Sequence, residues 1–226
     1  MRGHSVRHLV RSAALIAALA TAGCASGNAA AQTPVNSSSS AVDTLTARCG
    51  PPGFGSLKED DITIRISLIG GLQVAATPLD ECVIRVLSPD SYRVLRGRRI
   101  SRQAAIDSVA TRRRLQKYSL WSVMFYGIEQ GEVRFSPLEF VIRNVGQDFR
   151  PIEVLGLTTG FSEYRLTQRE QQRAILVFDG QIDLNQPLTA VIQSTASTTN
   201  WQDVMRRVEQ ERALVRSRAA AKPPLQ

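Results

Sequence analysis

Past its first eleven residues the chain has no histidine, for the only two, His4 and His8, lie within that opening. This removes the imidazole that serine and cysteine triads rely on, the paired ligands of an H-E-x-x-H zinc site, and histidine acid–base work in general. Lysine is nearly as scarce, with Lys58, Lys117 and Lys222 the only three. A serine–lysine dyad would need Lys58, in a loop-like stretch after Ser56, or Lys117, in a charged run. Neither has the apolar surroundings that lower an ammonium pKa. No G-x-G-x-x-G or P-loop occurs, and the glycine-rich stretch GPPGFGS at 50–56 lacks the Lys-Ser/Thr a phosphate loop requires. No cofactor, metal or catalytic residue is therefore expected.

Long apolar runs are missing too. The longest, residues 12–23, is uncharged and follows Arg2, Arg7 and Arg11 with no acid between them. Its length of about a dozen residues falls short of the roughly 20 that cross a bilayer. A positive start, a short apolar core and a small-residue exit make residues 1–23 an export leader of bacterial type. Thr21-Ala22-Gly23-Cys24 resembles the lipobox of bacterial lipoproteins. The resemblance implies a diacylated Cys24 as the new N-terminus, with the membrane as a partner through the lipid. The alternative is a cut after Ala31, within NAAAQ, which fits an A-x-A pattern and would leave a soluble periplasmic or secreted protein. Residues 24–47 are small and polar and include four consecutive serines. Such a chain buries too little apolar surface to offset its ordering entropy, and it reads as a flexible tether.

Cysteine is limited to Cys24, Cys49 and Cys82. Either processing route acylates or removes the first, leaving two in an oxidising compartment, the composition of a single disulfide. A Cys49–Cys82 bridge would pin the RCGPPGFG loop to the first folded segment and contribute on the order of 3.5 kcal/mol in the chain-entropy model. The formal charge is +8, and the leader takes three arginines and no acid with it, leaving about +5 in the mature chain. Arginines cluster at 96–99, 112–114 and 206–207. Outside the cytoplasm, an envelope protein, anionic headgroups or an anionic polymer are the expected partners rather than nucleic acid, against the plainer reading of solvated helix faces.

Ordered patterning begins at Asp61. Ile62, Ile64, Ile66 and Leu68 alternate with polar residues as a half-buried strand, and LQVAA suits a second. In TPLDECVIRVL, Thr77 suits an N-cap and Pro78 the first helical position. SPDSYRVLRG repeats the signal, with Ser88 as cap and Gly97 as end, and Arg102 to Lys117 fits a further helix with Ala105, Ile106, Val109 and Leu115 inward. From Leu120 short β-prone runs recur with Gly, Asn, Asp or Pro between them, the pattern of a sandwich. Trp121, Phe125 and Tyr126 are expected in the core, with Leu138, Phe140 and Ile142 on one strand face. Phe161 and Tyr164 near a turn are candidates for a surface patch. The last element, from Asn200, carries Trp201, Val204, Met205, Val208 and Val215 on one stripe. It is expected either to dock on the sandwich or to present Trp201, Arg206 and Arg207 to a partner.

The run FSPLEFVIRNVGQDFRPIEV is similar to Ig-like sandwiches of extracytoplasmic bacterial proteins, which implies an interaction or scaffold domain and no catalytic residue. The Cys…Trp…Cys spacing of immunoglobulin domains is absent, since both cysteines precede this region. The expected fold is α+β. An Ig-like antiparallel β-sandwich over 118–195 follows a strand-plus-helix subdomain at 48–117 and precedes an amphipathic helix at 200–218 and a disordered tail at 219–226. The expected function is a non-enzymatic binding or assembly module of the cell envelope. The alternatives are a carboxylate-dependent hydrolase of envelope polymers, drawing on acids such as Glu129, Glu132, Glu139 and Glu153, and an accessory or inhibitor protein that binds by strand addition.

Overall fold

A computed structural model describes residues 44–221. The leader, Cys24 and most of the expected tether lie outside the described residues. Strands in chain order are β1 (Ile64–Ser67), β2 (Leu72–Pro78), β3 (Tyr118–Gly127), β4 (Val133–Arg134), β5 (Val141–Asn144), β6 (Gln147–Phe149), β7 (Pro151–Gly156), β8 (Arg165–Leu166), β9 (Gln171–Asp179), β10 (Leu188–Ile192) and β11 (Thr195–Ala196). The helices considered below are α1 (Glu81–Ile84), α2 (Pro89–Ser101), α3 (Gln103–Arg113) and α4 (Trp201–Ala221).

One antiparallel sheet has the order β1-β2-β3-β9-β7, a second runs β11-β10-β5-β6, and β4 pairs with β8. The α+β class and the antiparallel sandwich are thus as the sequence leads one to expect. The early strands belong to the same sheet as the late ones: β2 pairs with β3 from Leu72↔Gly127 to Pro78↔Trp121. The regions expected as subdomain and sandwich therefore share one hydrogen-bonded ladder.

β3 lies at the centre of the five-stranded sheet, between β2 and β9, and is buried on both faces. That is why its sequence is mostly apolar on both faces instead of alternating, with Ser119 and Ser122 the exceptions. One face, with Trp121, Val123 and Phe125, packs toward the second sheet, where Phe140 meets Phe178 edge-to-face at 6.4 Å. The other face receives α2 and α3. Arg112 of α3 bonds Glu153 at 2.7 Å, and Arg98 of α2 shares Glu59 with Arg173 of β9, at 2.5 and 3.4 Å. Burial and the neighbouring charge of Arg98 lower the Arg173 pKa, opposed by Glu59.

Four local expectations differ. Thr77 and Pro78 finish β2 instead of starting a helix, because the Thr77 hydroxyl is 2.8 Å from that of Thr63 inside the protein. Asp80 caps α1, its carboxylate accepting from the Cys82 and Val83 N–H groups at 2.8 and 3.1 Å. α2 runs through Gly97 to Ser101. Leu138 is 55% exposed, because Pro137 opens a 3-10 turn that takes it off the face shared by Phe140 and Ile142. At the margins, residues 44–47 are already helical, and α4 continues to Ala221 through a run of alanines, the best helix formers.

Candidate functional site

The loop at 50–56 has little apolar content of its own, and its position is set from outside. The Cys49–Cys82 disulfide forms, with Cα atoms 4.5 Å apart, and it is of the kind that persists in an oxidising, extracytoplasmic compartment. Arg85 donates to the Gly50 carbonyl at 3.2 Å and Arg218 to that of Phe54 at 2.7 Å. Glu211 of α4 accepts from the Ser56 N–H at 2.8 Å and its hydroxyl at 2.9 Å, and from Arg218 at 2.6 Å. Burial alone would raise the Glu211 pKa, but the donors from Arg218 and Ser56 outweigh it and the net shift is downward. Gly55 lies so close to α1's exit that a Cβ there would come within 1.9 Å of the Val86 carbonyl oxygen.

Held in this way, Pro52 and Gly53 form one wall of a groove whose other wall is α2. That helix starts where Ser88 accepts from the Ser91 N–H at 3.4 Å, with Pro89 in its first turn. The groove encloses about 440 Å³ between the loop and Pro89, Tyr92, Arg93, Arg96, Gly97 and Ile100. Tyr92 is buried, and its hydroxyl donates to Glu81 at 3.0 Å. Burial pushes its pKa up and the Glu81 charge adds to this, so the phenol stays neutral. The Arg96 guanidinium lies 5.9 Å from the Tyr92 ring centroid, in cation–π range. Arg93 pairs with Asp90 at 3.2 Å, but both side chains are more than three-quarters exposed, so the pair competes weakly with another anion. Ile100 is 58% exposed at the groove.

The surrounding segment carries the chain's positive surplus. Residues 89–117 contain nine arginines and lysines against Asp90 and Asp107. Arg102, Arg113, Arg114 and Lys117 are exposed and form no ion pair among the described residues.

The interaction residues read from sequence do not form one exposed surface, although the Phe161 and Tyr164 rings meet edge-to-face at 5.7 Å. Phe161 is buried, with its ring 6.2 Å from Phe125 and 5.9 Å from Phe135, so the expected Phe161–Tyr164 surface patch reduces to Tyr164, 41% exposed. Turn-like flanks suggested exposure, but Phe161 heads a 3-10 turn that folds back over β3. Trp201 is also buried, 6.0 Å from Trp121, and donates its indole N–H to the Leu184 carbonyl at 2.7 Å. Arg207 bonds the Asp61 carbonyl at 3.1 Å, while Arg206 pairs on the surface with Asp203. α4 is thus a docked helix.

Of the candidate acids, Glu153 is tied to Arg112 of α3, and Glu129 and Glu139 are exposed. Glu132 joins Glu163 and Glu170 along a cleft of about 490 Å³. Arg165 stands between the first two, 3.7 Å from Glu132 and 2.8 Å from Glu163. The Thr167 N–H, then its hydroxyl, hold Glu170 below the usual carboxylate range. Among the described residues no group of three or more His, Cys, Asp or Glu is placed to hold a metal ion, and no helix is long and apolar enough to cross a membrane. Comparison with known proteins gives no match to a family model, a curated protein or a solved structure.

Proposed function

We propose that this is an exported protein of the bacterial cell envelope, anchored by lipid at Cys24, that works without catalysis as a binding or assembly module and engages an anionic partner at the groove between α2 and the 50–56 loop. The observation that carries this reading is the groove itself: an apolar floor with two guanidiniums on its rim, in the segment that holds the positive surplus. The disulfide supports an oxidising compartment. The lipobox-like run at 21–24 supports the anchor.

Two measurements test it. Mass spectrometry of the mature N-terminal peptide should find a diacylglyceryl group on Cys24; a free N-terminus at Gln32 would instead establish the soluble form. A photo-crosslinking amino acid at position 100 should capture an envelope component in intact cells, and the same probe at Leu214, an exposed site on α4, should not. Equal capture at both sites would remove the groove from the reading.

The hydrolase alternative has one observation in its favour, the meeting of Glu132, Glu163 and Glu170 along one cleft. It requires purified protein to release fragments from envelope polymers and Glu163→Gln to abolish that release.

A further inference from the structure

We infer that the groove between α2 and the 50–56 loop receives the headgroups of anionic phospholipids, so that the domain lies against the membrane that carries its anchor; this rests on the envelope reading above. Three features on the molecule converge. Arg93 and Arg96, one turn apart, line the same apolar groove, and among the described residues the only carboxylate paired with either is the exposed Asp90. A phosphodiester offers the charge these guanidiniums lack, and Arg binds phosphate with directed N–H donors. The floor of Pro52, Tyr92 and Ile100 suits the glycerol and first methylenes of a lipid rather than a fully hydrated polyanion. An exposed isoleucine between arginines can dip into the headgroup–acyl boundary, where apolar and cationic contacts add.

Chain connectivity gives the third feature. The described structure starts at residue 44, and a helical segment over 44–49 runs directly into the loop that forms the groove wall. The chain coming from Cys24 therefore enters the domain beside the groove. Twenty residues separate positions 24 and 44, enough at most for about 70 Å of extended chain, so a lipid at Cys24 keeps the domain within reach of the bilayer. Concentrating the surface at its ligand in this way makes even a weak headgroup site count.

The experiment uses the mature chain with Cys24→Ser, so that no lipid anchor contributes, and vesicle co-flotation as readout. Vesicles of phosphatidylcholine with about one-third phosphatidylglycerol should retain the protein, whereas pure phosphatidylcholine should not. Arg93→Gln with Arg96→Gln should weaken retention about thirty-fold, taking about 1 kcal/mol for each arginine near an anionic surface. Ile100→Ser should weaken it without changing net charge. Arg134→Gln with Arg169→Gln removes the same charge elsewhere and should leave retention unchanged; circular dichroism confirms that each variant is folded. An equal loss in this control pair would show a net-charge effect and overturn the groove assignment. So would absence of retention by the anionic vesicles, or groove-dependent binding of polyglutamate in place of vesicles. None of these outcomes bears on Cys24 acylation, which the N-terminal mass decides independently.

Discussion

Glu211 shows how one side chain can set the position of a distant loop. It is buried on α4, yet its carboxylate receives both donors of Ser56 and a guanidinium proton of Arg218. Charge-assisted bonds of this sort are worth about 1.5–3 kcal/mol each. Glu211→Gln keeps the shape but loses the charge, and urea unfolding should show a loss of about 2 kcal/mol. The pH dependence follows from the lowered pKa: a carboxylate depressed on folding adds stability above its ordinary value of 4.5, and that stability is lost as the pH falls through the lower folded value. The acid limb of the wild-type stability curve should therefore be steeper than that of Glu211→Gln; parallel limbs would rule this role out. Gly55 acts at the same scale, since the Val86 carbonyl leaves no room for a side chain at the loop's closest approach.

Among the elements, the hairpin β5–β6 turns through Val145 and Gly146, both at positive φ, 50° and 72°. Two-residue hairpin turns of this hand favour Asn-Gly, and a β-branched residue is strained there. Val145 is 67% exposed, so no packing offsets that strain. Val145→Asn should raise the unfolding free energy by about 1 kcal/mol, read as a higher denaturant midpoint at unchanged slope. The preceding residue carries the positional information. Asn144 donates to the Asp183 and Pro187 carbonyls at 3.0 and 3.1 Å and accepts from the Asp183 N–H at 3.0 Å, fastening the hairpin to the β9–β10 connection. The outer edge of β7 is unpaired by any strand in its sheet. It is short and bulged between Pro151 and Glu153, features that discourage edge-to-edge pairing.

For the molecule as a whole, the disulfide is the closure that makes the groove. It links the segment entering from the N-terminus to α1, while Arg212 and Arg218 of α4 bond carbonyls of Cys82 and Phe54 on either side of it. Three stretches far apart in the chain thus meet at one loop. Reduction, or Cys49→Ser with Cys82→Ser, should lower stability by about 3–4 kcal/mol. Photo-crosslinking at position 100 should fall with it, since the Pro52–Gly53 wall is then free to leave. Unchanged stability and crosslinking on reduction would show that the hydrogen bonds from α4 hold the loop alone.

The sequence by itself determined the class of fold, the pairing of the cysteines and the inward stripe of α4. Those features depend on periodicity and parity, which are local or countable: alternation at Ile62–Leu68, the cap at Ser88, two cysteines within the folded region. It also determined that no imidazole is present beyond His8. Tertiary structure alone decided that Phe161, which looks exposed beside a turn, is buried, because burial depends on what folds over that turn. It likewise decided the groove. Pro52 and Ile100 are 48 positions apart, and no periodicity connects them. The bridge from Cys49 to Cys82, the bond from the Ser88 N–H to the Leu57 carbonyl, and the arginine and glutamate contacts of α4 bring them face to face.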